Sequence, residues 1–227
     1  MRSPTEPTTR RSRFALYLGA AACAGLAMPT LPGCNIVGPI AAVAYGPGEV
    51  EAVFTLDSSK KTVIFVDDPA NKIAQRRARA QIGEAAQDAL LRKNKIREGN
   101  MIDTRSAMAA AANGDGSLSI TEIGAEVGAE IIVYALVTRF ELTTDGVDLD
   151  PVSEIEVKVF DATTHTRLWP PVGEPGYRST FSASGGNRFM PQSRTDSLKA
   201  QGDLGRITGE GLAQLFYDVE RPQSLRQ

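Results

Sequence analysis

The chain has 227 residues, 42% of them apolar, and a net charge of −2 at pH 7. That length suits one domain with appendages and can bury a real core, and the charge balance carries no mark of a nucleic-acid binder. Cys23 and Cys34 are the two cysteines and His165 the single histidine, which excludes a disulfide, a cysteine metal site or a zinc-binding histidine pair from everything beyond residue 34.

Arg10, Arg11 and Arg13 form a basic start. Phe14 to Met28 is apolar and uncharged, and Leu31-Pro32-Gly33-Cys34 follows. Basic start, short apolar stretch and small residues at a cut are the order of a secretory signal. Leu31 three places before Cys34, with Gly33 just before it, resembles the bacterial lipobox; Pro32 is a less usual occupant. The resemblance implies diacylglycerol transfer to Cys34 and cleavage before it, with residues 1–33 as signal peptide. A plain signal peptide and an uncleaved anchor remain as alternatives, although Pro29 and Pro32 interrupt the roughly 20 apolar residues a spanning helix needs. Cys23, behind Ala20-Ala21-Ala22, is a second and weaker lipobox.

Residues 34–48, rich in Gly, Pro and Ala, read as a flexible tether. An α/β domain is expected over 49–222, and 223–227 form a C-terminal tail. Glu49 to Leu56 reads as a short extended segment. Thr62 to Val66 is an apolar β-branched run, the pattern of a buried strand. Asp68-Pro69 then has the chemistry of a helix N-cap and first helical position, so a helix is expected from Ala70 to Lys93. Asn100 to Asp103 reads as a short strand and Thr104 to Ala112 as an Ala-rich helix. Ser119 and Glu122 form a capping box for a helix ending near Gly128.

Glu130 to Leu142 is the strongest strand. Ile155, Val157 and Val159 alternate with Glu154, Glu156 and Lys158, a half-exposed strand. Asp161 to Thr166 is a hairpin turn returning through Arg167-Leu168-Trp169, and Gly176 to Ala183 is a further strand. The last helix is expected over Asp196 to Val219. Its Gly202, Gly205, Gly209 and Gly211 weaken it by roughly 1 kcal/mol each against Ala unless they serve close packing. The order gives a single α/β sandwich with a mixed sheet and long helices packed on it.

Three stretches carry a family resemblance: Ile123-Gly124-Ala125-Glu126-Val127-Gly128-Ala129-Glu130-Ile131-Ile132-Val133, Val159 to Trp169, and Gly211 to Phe216. Together with the strand and helix before them they look like the envelope lipoproteins whose domain is similar to the TolB N-terminal domain, CsgG and LpoB, over roughly Thr62 to Val219. Where that family has Gly after the turn threonine, this chain has Thr164-His165. The resemblance implies a non-enzymatic domain that docks on protein partners in the envelope, and it transfers no catalytic residues.

Few motifs carry chemistry of their own. Asn113 to Glu122 matches the latter part of a calcium loop, with Asp115 and Glu122 as the metal ligands. Ala111 stands where the first ligand belongs, and a Gly-rich turn with a capping box accounts for the same residues. Asp67-Asp68 after a buried strand is similar to the acidic pair of phospho-receiver domains, without the lysine and third-strand aspartate those require. Lys72, Arg76 and Arg79, with Arg77 beside them, form a basic face suited to anionic lipid, an acidic partner or simply water. A hydrolase using carboxylates alone would pair acids such as Asp67 with Asp145 or Asp161, though nothing in the spacing shows that they converge.

The sequence therefore predicts an envelope lipoprotein held to a membrane through lipid on Cys34. Its domain acts as an interaction or assembly module without a cofactor. The alternative is a lipoprotein that binds calcium or a small ligand. Asn35, after Cys34, favours the outer membrane over the inner.

Overall fold

The structure, a computed structural model, describes residues 49–114, 116–144, 146, 148–183 and 193–220. The expected signal peptide and tether, with Cys23 and Cys34, lie outside these residues, as do Asp115, Asp145 and the 223–227 tail.

The expected mixed-sheet α/β sandwich is what forms. Strand β2 (Thr62–Asp67) is buried along five of its six residues, because it is covered on both faces. It runs parallel to two neighbours: Thr62 lies opposite Met101 of β3 (Met101–Ile102) on one side and Ile131 of β4 (Ile131–Glu141) on the other. β5 (Val152–Asp161) pairs antiparallel with β4. β6 (Thr166–Trp169) and β7 (Tyr177–Ser182) follow one another along the far edge of β5, both antiparallel to it. A separate two-residue ladder joins β1 (Glu49–Val50) to β8 (Val219–Glu220).

Helices cover the sheet unequally. α1 (Arg76–Arg92) and α4 (Arg194–Gln214) lie on one face, where Ile64, Val66, Ile82, Leu90, Val133, Ile155, Val157, Leu204, Leu212 and Phe216 form the larger core. α2 (Thr104–Asn113) and α3 (Ile120–Glu126) lie on the other, over Val63, Phe65, Ile132 and Tyr134. α1 and α4 run side by side in the same direction, with Gly205 against Ala78 and Gly209 against Ile82. A Cβ at Gly209 would land on the Ile82 carbonyl oxygen, so this glycine is what lets the two backbones approach.

The first helix begins six residues later than the sequence pattern predicts. Asp68 does cap, but it caps a turn: its carboxylate accepts the N–H groups of Lys72 at 2.7 Å and Ile73 at 2.8 Å. Asn71, at φ 51°, takes the chain off the helical path, and Ile73 turns into the core. Helix α1 then starts after Gln75 with no side-chain cap and no acid in its first turn. The last helix stops at Gln214, five residues short of its expected end, and the chain passes through Phe216 and Tyr217 into β8.

The motifs behind the family resemblance have plain mechanical causes. Gly128 (φ 72°) and Ala129 close α3, their N–H groups reaching the carbonyls of Ala125 at 3.0 Å and Gly124 at 2.8 Å, the double bond of a Schellman ending. In the β5–β6 turn Asp161 accepts the N–H groups of Thr163 and Thr164. His165 there has φ 54°. That left-handed position favours glycine, and His enters it more readily than most residues.

Candidate functional site

Of the two carboxylate pairings, Asp67 with Asp161 does not converge, and Asp145 of the other lies outside the described residues. Asp67 lies opposite Leu136, which pairs with Glu156, whereas Asp161 pairs with Ile131, which lies opposite Thr62. Asp67 and Asp161 thus stand at opposite ends of the sheet, five residues apart along the strands or roughly 16 Å at a ~3.3 Å rise, too far for a hydrolytic pair. Each also has structural work: Asp67 accepts the Tyr134 hydroxyl at 2.9 Å, and Asp161 caps its turn and meets Lys60 Nζ at 3.1 Å. The Thr164 N–H and then Lys60 hold the Asp161 carboxyl below the ordinary value. Burial, reinforced by the Asp67 charge, pushes the Tyr134 hydroxyl well up, so it stays a donor.

Of the two candidate calcium ligands, Asp115 lies outside the described residues. Glu122 is in a complete capping box: its carboxylate accepts the Ser119 N–H at 2.7 Å and the Ser119 hydroxyl accepts the Glu122 N–H at 3.3 Å. Those bonds to Ser119 lower its carboxyl. Calcium would have to pull Glu122 out of that cap. Among the described residues, no group of three His, Cys, Asp or Glu side chains is placed to hold a metal ion. Also among them, no helix is long and apolar enough to cross a membrane. His165 meets α3, its Nδ1 2.9 Å from the Thr121 hydroxyl, a contact between distant segments that the sequence does not reveal. Trp169 packs at the sheet edge against Phe54 (6.0 Å between ring centroids) and Tyr177 (5.0 Å).

Two surfaces stand out. The first is the sheet face opposite α1 and α4. There α2 and α3 make their contacts with β2 and β4, and the outward residues of β5 and β7 face water: Glu154, Glu156 and Lys158 half-buried, Arg178 and Thr180 exposed. Charges interlock across it. Lys158 Nζ lies 2.7 Å from Glu156, Arg178 Nε 3.7 Å from the same carboxylate, and Arg139 bridges Glu141 at 2.8 Å and Glu154 at 3.4 Å. Lys158 above all holds the Glu156 carboxyl below its ordinary value. Strand alternation puts Glu154, Glu156 and Lys158 on one face in the sequence. Arg178 joins them only through a pairing that spans a loop.

The second surface is a cleft of about 350 Å³ at the carboxyl end of β2. The turn after β2 and the first turns of α1 form one wall, with Asp68, Asn71, Ile73, Arg76 and Arg79; Met108, Ala109 and Ala112 of α2 form the other. The order β3-β2-β4 places it where the chain reverses direction across the sheet: α1 carries the chain from β2 to β3 on one face, and α2 and α3 carry it from β3 past β2 to β4 on the other. Such switch points are where open α/β sheets hold ligands. The basic face predicted from sequence is divided here: Arg76 and Arg79 line the cleft, while Lys72 belongs to the preceding turn.

No family model and no curated protein matches the chain. Among solved structures it is similar to the hypothetical protein CT253 from Chlamydia trachomatis, at 16% identity over 69% of this chain and 93% of that one, with a TM-score of 0.42. It is similar to lipoprotein GNA1162 from Neisseria meningitidis at 11% identity, over 64% of this chain and 96% of that one, TM-score 0.36. It is also similar to the LpoB C-terminal domain from Salmonella enterica at 13% identity, over 54% of this chain and 82% of that one, TM-score 0.30. These distant likenesses carry no argument about activity or partners.

Proposed function

We propose that the protein is a lipid-anchored lipoprotein of the cell envelope whose α/β domain is a non-enzymatic docking module, presenting the open face of β4, β5 and β7 to another envelope protein. The observation that carries this reading is the open face itself. Its charged rows are organised across three strands yet no helix among the described residues covers its β5 and β7 part. Among the described residues Asp67 holds the Tyr134 hydroxyl while Asp68 and Asp161 hold the backbone of their turns, which supports a binding role over a catalytic one. Cys34 supplies the anchor, with two or three acyl chains needed for firm attachment, and Asn35 favours the outer membrane.

A photo-crosslinking residue at Thr180, on the open face, should yield defined adducts in intact cells, whereas the same residue at Arg206 on α4 should yield few. Equal labelling at the two positions would reject the face as the docking surface. Cys34→Ser should move the protein out of the membrane fraction; continued membrane association would reject the anchor. Calcium binding at Asp115 and Glu122 remains the alternative reading, and calorimetry showing heat that Glu122→Gln abolishes would favour it.

A further inference from the structure

The cleft at the carboxyl end of β2 has a use that the docking reading does not require. We infer that it binds a small phosphate monoester, with Arg76 and Arg79 holding the phosphate and α2 receiving the apolar remainder of the molecule.

Charge is the first argument. Residues 69–83 hold Lys72, Arg76, Arg77 and Arg79 and no acid, and none of the four cations forms an ion pair among the described residues. Elsewhere the fold pairs its cations freely, as with Arg105, Arg139, Lys158, Arg178 and Arg206. Two guanidinium groups lining one cleft present a charge of about +2, which matches a phosphate monoester at −1.5 to −2 near neutral pH. Asp68 in the wall is an acid, but it is 5% exposed with both oxygens held by backbone N–H groups of its turn, and among the described residues it forms no ion pair with either arginine.

The second argument is an unmet donor. Arg79 Nε is shut off from water and has no hydrogen-bond acceptor among the described residues. A buried donor without a partner is costly, and this half-buried side chain gains an acceptor by turning the group toward an anion in the cleft. The uncapped, acid-free first turn of α1 faces the same region and adds to the attraction for an anion. The third argument is size and lining. About 350 Å³ is at the small end of ligand pockets, and Met108, Ala109 and Ala112 offer an apolar wall opposite the arginines.

The test is calorimetry on the full chain in detergent micelles, titrated with inorganic phosphate and with phenyl phosphate. Phenyl phosphate should bind saturably and more tightly than phosphate. Arg76→Gln, an exposed position that leaves the fold intact, should weaken it at least tenfold. Arg77→Gln makes the same charge change one residue away, outside the cleft lining, and should leave binding within about twofold, since a bidentate phosphate contact is local and general charge is not. Vesicles containing phosphatidic acid that displace phenyl phosphate would assign the phosphate to a lipid headgroup; vesicles that do not displace it would assign a soluble ligand. No saturable binding by about 10 mM of either probe, a free energy weaker than about −3 kcal/mol, overturns the inference. Equal loss in the Arg76→Gln and Arg77→Gln variants overturns it too, as does an acidic peptide binding through Arg76 when neither phosphate binds.

Discussion

Glu156 shows how much a single side chain here depends on its surroundings. It takes Lys158 from its own strand, Arg178 from the next and the Gly176 N–H at 3.2 Å. Its folded carboxyl therefore titrates below its unfolded value of about 4.5. A depressed acid stabilises the fold above its unfolded value, and that contribution is lost as pH falls through the lowered folded one. Urea midpoints measured between about pH 6 and pH 3 should fall less steeply for Glu156→Gln than for the wild type; parallel curves would show that the network contributes nothing. Thr104 is a quieter case, fully buried with its hydroxyl donating to the Ile64 carbonyl at 2.6 Å. Thr104→Val keeps the shape and leaves the site without that donor, at a cost of about 1–3 kcal/mol in denaturant unfolding. At this scale the sequence speaks unevenly. The Ser119–Glu122 box and the Ile131–Ile132–Val133 strand are legible because their signals are local. Asp68 is misread because an aspartate before proline looks the same whether it caps a helix or a turn, and the outcome was set by the burial of Ile73 farther along.

At the scale of elements, the α1–α4 contact governs stability. Ala78, Ile82, Ala85 and Ala86 of α1 face Gly205 and Gly209 of α4, so the helices pack backbone to backbone. The glycines of the last helix are visible in the sequence as a weakness, and the structure shows at Gly205, Gly209 and Gly211 that the missing side chains are space used by Ala78, Ile82 and Phe181. Gly209→Ala should cost about 3 kcal/mol or more, through overpacking against a carbonyl that cannot swing away. Gly99→Ala, where nothing lies within 4 Å, should change stability by under about 0.5 kcal/mol. A similar loss at both positions in thermal melts would mean that the close approach at Gly209 does not decide the cost. The strands beyond β5 were legible as strands. That β6 and β7 share one edge was not, because the seven residues between them carry no local sign of how the chain resumes its pairing.

For the whole molecule, the order of folding matters. α4 comes last, yet supplies Leu204, Leu212 and Ala213 to the larger core, followed by Phe216 and Tyr217 just beyond it. It also carries Thr208, whose hydroxyl lies 2.5 Å from Ser153 of β5 in the buried interior. A chain ending at Ser193 should therefore lack cooperative unfolding altogether, giving a sloping melt and strong binding of a hydrophobic dye; a sharp transition would show that the sheet with α1 to α3 is self-sufficient. The layer architecture was readable from strand and helix order. The cleft was not, since it exists only once α1 and α2 are set on opposite faces of β2, an arrangement that follows from the direction of two crossovers and not from any motif.

The small ladder of β1 and β8 has a mechanical consequence. Residues 49–54 are held to the domain through two residue pairs, Glu49 with Glu220 and Val50 with Val219, backed by the Ala52 N–H on the Asp218 carboxylate and the Val53 and Phe54 N–H groups on the Leu215 carbonyl. The six-stranded sheet lies behind that attachment. A pull on residues 49–50 should peel this ladder before it disturbs the core, because two residue pairs resist far less than the long ladders of the sheet. In a lipoprotein suspended through Cys34, as proposed, that joint would give slack, and a partner on the open face would feel the yielding before any distortion of the surface it grips.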